Sequence, residues 1–349
     1  MPADPSSPIP AALTQLAHTD PRQLHQAEAP HLLAYLATIP DPRAVGGRRH
    51  RLVTILGLAA AAVLAGARSI AAIAEWAADS PQPVRAALSA RQQAPGCFAV
   101  PAEATIRGTL ARLVADALAG AIGAWLADRK PQGPAASRRR AVAVDGKTLR
   151  GALGAGGDGR PVHLLAAMDH ASRAVLAQRQ VGGAPEEVPA FAPLLAPLDL
   201  TGVVVTADAL QTHPEAAEFL VGVKQAHYLL VVKTNQPTLL DRCARLPWHR
   251  VPVADRTRDR GHGRVELRSL KAVSVRHFGF PHAAQVIQVT RKRRDLHTNR
   301  WQTVVVYAIT SLPFEQARPA RLADLLRGHW TIENGLHWVR DVTFAEDAS

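Results

Sequence analysis

Three carboxylates stand where residue type and spacing could support chemistry: Asp145, Asp208 and Glu333. Glu333 lies in His329-Trp-Thr-Ile-Glu-Asn-Gly-Leu-His-Trp-Val-Arg-Asp341, where His329, Glu333, His337 and Asp341 recur every four residues. That spacing stacks them on one side of a helix. Leu322, Leu325 and Leu326 precede them at helical spacing, and Ile332, Leu336 and Val339 continue the apolar side. On these residues alone Glu333 reads either as a metal ligand aimed into a site or, more plainly, as a solvated carboxylate. Asp145-Gly146 is a turn dipeptide. Asp208 closes an apolar run, a place where ligand-binding residues of α/β folds collect and where a helix cap is equally at home.

The combination would do more than its members. Three acids in one cleft repel, each like pair by roughly 4 kcal/mol at about 4 Å and an effective dielectric near 20. Such a cluster persists by taking up protons or divalent cations. An all-carboxylate donor set favours a hard ion, Mg²⁺ or Mn²⁺, over zinc. Two such ions about 3.5–4 Å apart would activate a water or a 3′-hydroxyl and stabilise the leaving oxygen of a phosphodiester.

The elements that must position these acids fall in two halves. Residues 1–28 are polar and Pro-containing and read as loosely ordered, and 29–130 as a helical domain. A short helix is expected over His31–Ile39, then the basic segment Arg43-Ala-Val-Gly-Gly-Arg-Arg-His-Arg51, which suits phosphate contact or a solvated linker. An apolar helix follows over Leu52–Ala67, another near Ser69–Ala78, and, after a Pro/Gln-rich loop, one long helix capped by Thr105. Residues 131–139 read as a linker. Beyond it, Arg140–Val144, Val162–Met168 and Ala174–Val181 read as strands, the last two joined across Asp169-His-Ala-Ser172. Pro185-Glu-Glu187 opens a helix, with acids on its positive end. Strand Gly202–Thr206, helix Pro214–Val223 and strand Tyr228–Val232 complete the series.

Three antiparallel strands followed by alternating helix and strand is the element order of a ribonuclease-H-like domain, here spanning 140–349. Its first and fourth strands are neighbours, which would set Asp145 beside Asp208. From about 234 to 312 a β-rich insertion is expected, with the basic turn Arg291-Lys-Arg-Arg294 joining its last two strands. The fold class is therefore α+β: a helical N-terminal domain and a ribonuclease-H-like core.

Bulk properties agree with a polyanionic partner. The 349 residues carry 41 Lys+Arg against 29 Asp+Glu, a formal charge of +12, with pI near 10.7. Nucleic acid and an anionic membrane surface are the two usual counterparts. Two distant cysteines, Cys97 and Cys243, give neither a disulfide framework nor zinc spacing. The first residues lack a basic and apolar leader pattern, so a cytoplasmic location is expected.

The chain resembles insertion-sequence transposases of the ISAs1 family, within the wider IS4-like DDE group. In the first half the likeness rests on Ile39-Pro-Asp-Pro-Arg43, Gly47-Arg-Arg-His50, Ala65-Gly-Ala-Arg-Ser69, Ile73-Ala-Glu-Trp76 and Thr105-Ile-Arg107. In the second it rests on Val144-Asp-Gly-Lys147, Thr206-Ala-Asp-Ala209, Val232-Lys-Thr-Asn-Gln236, Gly261-His-Gly-Arg-Val-Glu266 and His329–Ser349. The resemblance implies Mg²⁺-dependent cleavage and strand transfer at the element's terminal inverted repeats by an oligomer bound to double-stranded DNA. It carries the three acids onto Asp145, Asp208 and Glu333. It places Arg340, seven positions after the glutamate, on the DNA end, with His329 assisting; Lys147, Lys233, Arg48 and Arg49 are further candidate DNA contacts. Thr234, Gly335 and the segment Gly-Gly-Ala-Pro-Glu-Glu187 depart from the family pattern. Relatives are expected to continue past the position of Ser349, so the alternative expectation is a truncated, inactive DNA-binding remnant.

Overall fold

The computed structural model describes residues 31–128, 139–153, 161–261, 264–296 and 298–346. The expected loose segment 1–28 and nearly all of the 131–139 linker lie outside the described residues. The chain divides into two compact units, 1–130 and 131–349.

In the first unit the helices are α1 (Leu32–Leu36), α2 (Leu52–Leu64), α3 (Ile70–Asp79), α4 (Gln82–Ala87), α5 (Glu103–Leu110) and α6 (Ala115–Asp128). Helix α2 is apolar on nearly every side, and Ile55, Leu58 and Ala62 are fully buried. No single described helix is long and apolar enough to cross a membrane. Ser69 caps α3 by accepting from the Ala72 amide.

Two expectations fail in this unit. The Pro/Gln-rich loop contains a hairpin, β1 (Arg91–Ala94) with β2 (Cys97–Ala99), and Gly96 sits between them at φ +71°, where a side chain would be strained. The single long helix capped by Thr105 is instead α5 and α6, bent by 93°. Thr105 lies inside α5, which starts after Ala102. The bend lets Leu110 pack in both apolar clusters of the unit, one around Leu36 and Leu56, the other around Ile55 and Ile106.

The second unit is built on one mixed sheet of nine strands in the order β5-β4-β3-β6-β7-β11-β10-β9-β8. These are β3 (Ala141–Leu153), β4 (Pro161–Asp169), β5 (Val175–Val181), β6 (Val204–Ala207), β7 (His227–Val232), β8 (Asp255–Gly261), β9 (Arg264–Ser274), β10 (Gln285–Asp295) and β11 (Trp301–Thr310). Helices α7 (Glu187–Leu195), α8 (Pro214–Glu218), α9 (Pro237–Ala244) and α10 (Pro319–His329) flank it. Strands β3, β6 and β7 run parallel and the remaining pairings are antiparallel.

Ala141–Val144 and Val204–Ala207 are buried at every position because both faces are covered. On one face, Val142, Val144, Val203 and Val205 meet Phe191, Leu194, Leu195 and Leu220. On the other, Ala141, Val204, Leu229 and Ile287 meet Leu322, Ala323 and Leu325 of α10.

The segment expected as an insertion forms no separate sheet, since β11 pairs directly with β7 and carries β10, β9 and β8 outward. Arg291–Arg294 are not a turn: they are the end of β10, laddered on both sides against Arg268–Val265 and Val304–Trp301. A strand with partners on both edges satisfies its backbone better than a turn would at these positions. At the far edge, Arg256, Arg258 and Arg260 alternate along β8 and are exposed.

The hold of α10 on the sheet is testable. Leu325→Ala removes a side chain that is 1% exposed and should cost about 2–5 kcal/mol. Leu64→Ala, at a site 69% exposed, should change stability by less than about 0.5 kcal/mol. Urea unfolding midpoints of the two variants check the contrast.

Candidate functional site

Register places the first two acids. Strand β3 pairs with β6 from Ala141↔Val204 to Val144↔Ala207, so the next residue of each is an aspartate, Asp145 and Asp208. Adjacent strands lie about 4.8 Å apart. Side chains alternate, so Asp145 shares a face with Ala141, and Asp208 with Val204, which is the α10 face. Asp145-Gly146 is not a turn, because β3 continues through it to Leu153. After β6, Asp208 accepts from the Leu210 amide at 2.8 Å and caps a single 3₁₀ turn, Ala209–Gln211. Both readings of Asp208, strand-end acid and cap, are thus realised in one residue.

The third acid comes from the chain after α10. The helical path continues past His329 but widens into π turns at Glu333–His337 and Val339–Thr343. Such local widenings recur at functional sites. Ile332 and Leu336 pack on Ala143, Ala166 and Met168, whereas Val339 is partly exposed. Of the four stacked polar residues, His329, His337 and Asp341 meet strand residues, and Glu333 is exposed at the cavity. His329 and Glu333 line the same cavity as Asp145 and Asp208. His337 Nδ1 lies 3.7 Å from Asp145 Oδ2, and Asp341 pairs with Lys147 at 2.7 Å.

The cavity has a volume of about 310 Å³. Besides the three acids it is lined by Lys233, Arg268, Arg291, Arg327 and Trp330. Burial, then the negative charges of Asp208 and Glu333, push the Asp145 carboxyl up to about 7. Glu333 is raised by burial and by Asp208, against the lowering effect of Lys233. His337 is held down at about 4 by burial, with Lys147 and Arg340 adding to it. It is therefore neutral at pH 7, and its contact with Asp145 is polar rather than ionic. Among the described residues, no group of three or more His, Cys, Asp or Glu side chains is drawn together closely enough to hold a metal ion. Asp145, Asp208 and Glu333 share a cavity without closing around one point.

The basic candidates occupy different situations. Lys233 is largely exposed, at the cavity, 4.0 Å from Asp208 Oδ2. Lys147 is committed to Asp341. Arg340 is mostly buried, donating to Gln178 of β5 and pairing with Glu346 at 3.4 Å. It fastens the last helical segment to the sheet. His329 is buried and its Nδ1 meets the Thr206 hydroxyl at 3.2 Å. Burial depresses it to about 4, so it carries no charge to offer a phosphate. In the first unit, Arg48 folds back on the Arg43 carbonyl at 2.9 Å and on Asp41 at 3.6 Å; Arg49 is exposed. The segment Arg43–Arg51 is thus stitched locally, with Arg43 buried against Asp41 and the His50 carbonyl.

Sequence reasoning missed Arg268, Arg327, Trp330 and Glu187. Arg291 was visible but placed in a turn; its guanidinium stacks 5.1 Å from the Trp330 ring. Arg268 and Arg291 both hold Glu266, at 2.6 and 3.1 Å. Their facing register on β9 and β10 was the signal, and it requires the pairing to be known.

Comparisons with known proteins give this geometry a family. Residues 136–349 match the family described as Transposase DDE domain, and residues 33–126 match the one described as DDE_Tnp_1-associated. YncI of Escherichia coli O157:H7, whose name gives it provisionally as a transposase, is 27% identical over 91% of this chain and 81% of its own. YhhI of Escherichia coli strain K12, an H repeat-associated protein with a similarly provisional transposase name, is 25% identical over 92% and 84%. A solved structure of the piggyBac transposase synaptic complex with hairpin DNA aligns with a TM-score of 0.40 and 10% identity, over 96% of this chain and 68% of that one. On the family match, which covers more than half of its length, the chain belongs to the DDE transposases.

Proposed function

We propose that this protein cleaves DNA at the ends of its insertion sequence and joins those ends to a target, as a member of the ISAs1 branch of the IS4-like group. The observation that carries the reading is the β3–β6 register, which sets Asp145 beside Asp208 on the face toward Glu333. The strand order β5-β4-β3-β6-β7 with flanking helices supports a ribonuclease-H-like core, and residues 29–130 would form the associated DNA-binding domain.

DDE transposases use divalent metal, and the donors here suit it. Three carboxylates line one cavity, and Asp145 is raised by its burial and by the negative charges of Asp208 and Glu333. Asp145, Asp208 and Glu333 would be the holding residues. A bound Mg²⁺ or Mn²⁺ would neutralise the acids and supply the Lewis acidity that phosphodiester attack requires. The remaining work falls to the chain's own groups. Lys233 and Arg327 offer cationic groups to the backbone of the DNA strand entering the cavity. Arg291 presents a guanidinium braced on Trp330. His329, neutral and hydrogen-bonded to Thr206, holds α10 against β6 and so sets where Glu333 points. Double-stranded DNA, at the terminal repeats and the target, is the partner, bound by an oligomer of this chain.

Three outcomes test the reading. With Mg²⁺ and duplexes carrying the DNA that flanks the coding sequence, Asp145→Asn, Asp208→Asn and Glu333→Gln should each abolish nicking and keep DNA binding. Binding without nicking by the unaltered protein would favour the inactive-remnant reading instead. Lys233→Ala should lower the slope of log binding constant against log salt by about 0.9; an unchanged slope removes Lys233 from the interface.

The third outcome follows from Asp145. Its folded pKa, about 7, lies above the ordinary 3.8. Its contribution to stability is present below pH 4 and is lost as the pH rises through 7. Asp145→Asn should therefore melt above wild type at pH 8, and the gap should narrow toward pH 4. Added Mg²⁺ should raise the wild-type melting temperature and leave the variant's nearly unchanged.

A further inference from the structure

One buried acid near the site has no part in the chemistry above. Glu187, at the start of α7, is 5% exposed. Its Oε1 accepts from His163 Nε2 on β4 at 2.6 Å, and its Oε2 accepts from Gln211 Nε2 at 3.1 Å. The other His163 nitrogen, Nδ1, meets the Thr148 hydroxyl of β3 at 2.7 Å. With Glu187 ionised and His163 neutral, Nε2–H donates to Glu187 and the Thr148 hydroxyl donates to Nδ1. The carboxylate also fills the space above Gly146, where an added Cβ would lie 2.0 Å from Oε1.

Two of these partners are placed tellingly. Gly146 follows Asp145, and Gln211 ends the 3₁₀ turn that Asp208 caps. One carboxylate therefore touches the backbone beside the first aspartate and the side chain of the turn behind the second. Burying a carboxylate costs several kcal/mol before its partners compensate, which an apolar residue on α7 would avoid. A fully bonded polar group in such a place fixes one arrangement of the elements around it.

We propose that Glu187 is a positioning residue, whose hydrogen bonds clamp β3 and the 209–211 turn so that Asp145 and Asp208 are held at one spacing. Gly146 is its counterpart, since glycine alone leaves room for the clamp. The inference rests on the proposed metal-dependent function of the same acids.

Glu187→Gln is the informative variant. Its amide oxygen can still accept from His163, and, once the Gln211 amide turns over, its NH₂ can donate to Gln211 Oε1, which has no hydrogen-bond partner among the described residues. The full-length chain would be titrated with Mg²⁺, reading both nicking and the metal-induced shift in melting temperature without DNA. Glu187→Ala should raise the Mg²⁺ concentration needed by about 10–100-fold, keep DNA binding, and be matched by Gly146→Ala. Glu187→Gln should titrate close to wild type. The double variant Glu187→Ala with Gly146→Ala should be no worse than Glu187→Ala alone, because the clash disappears with the carboxylate.

A wild-type titration for Glu187→Ala would overturn the proposal. So would a loss in Glu187→Gln equal to that in Glu187→Ala, which would mean that charge, not hydrogen bonding, is what matters. If Glu187→Ala does not fold, Glu187→Gln and Gly146→Ala decide the matter by the same titration. Failure of the unaltered protein to respond to Mg²⁺ by either readout would instead sink the metal-dependent function.

Discussion

The site depends on one strand pairing. Ala141–Val144 against Val204–Ala207 is a short parallel ladder buried on both faces. A slip of one residue would rotate every side chain of one strand to the opposite face. Asp145 would then point toward α7 and away from α10, and Asp208 would lose its neighbour. The small and β-branched residues of the two runs pin the register, because Phe191 and Leu195 on one side and Leu322 and Leu325 on the other accept only one set of facing side chains. Packing at the sheet centre thereby sets the spacing of two charged groups at its rim.

Around that pairing, charge is balanced unevenly. Acids and cations both line the cavity, and several of the cations in reach of it are paired with other groups. Lys147 is held by Asp341, Arg340 by Gln178 and Glu346, and Arg268 by Glu266. The histidines of the last helical stretch are kept neutral by burial. Asp145, buried and flanked by the negative charges of Asp208 and Glu333, keeps a raised pKa in spite of the cations around it. A protein with an excess of twelve positive charges thus gathers three carboxylates, Asp145, Asp208 and Glu333, along one cavity.

Much of this was legible in the sequence where it depended on neighbours along the chain. The apolar runs before Asp145 and Asp208 announced strands, and the four-residue recurrence of His329, Glu333, His337 and Asp341 announced a polar face, three of whose members meet strand residues while Glu333 lines the cavity. What stayed hidden depends on residues far apart. Asp145-Gly146 has the chemistry of a turn, and only the presence of Glu187 against Gly146 explains why glycine sits within a strand. Arg291–Arg294 look like a basic turn until β9 and β11 are found on both sides. The bend between α5 and α6 has no proline or glycine at 111–114 to announce it; it follows from Leu110 serving two clusters. Arg340 and His329 have the right residue types for DNA, and their burial against Gln178 and Thr206 is something spacing does not encode.

The arginines of β8 carry a consequence of their own. A nine-stranded sheet with an open edge is a template on which another copy's strand could add. Here that edge presents Arg256, Arg258 and Arg260 in alternation, all exposed. A second β8 laid alongside would set guanidinium against guanidinium along its length, so the edge is protected from self-association by its own charge. The same basic character that suits the chain to a polyanion thus also guards this edge of the sheet against adding a second copy before one is bound.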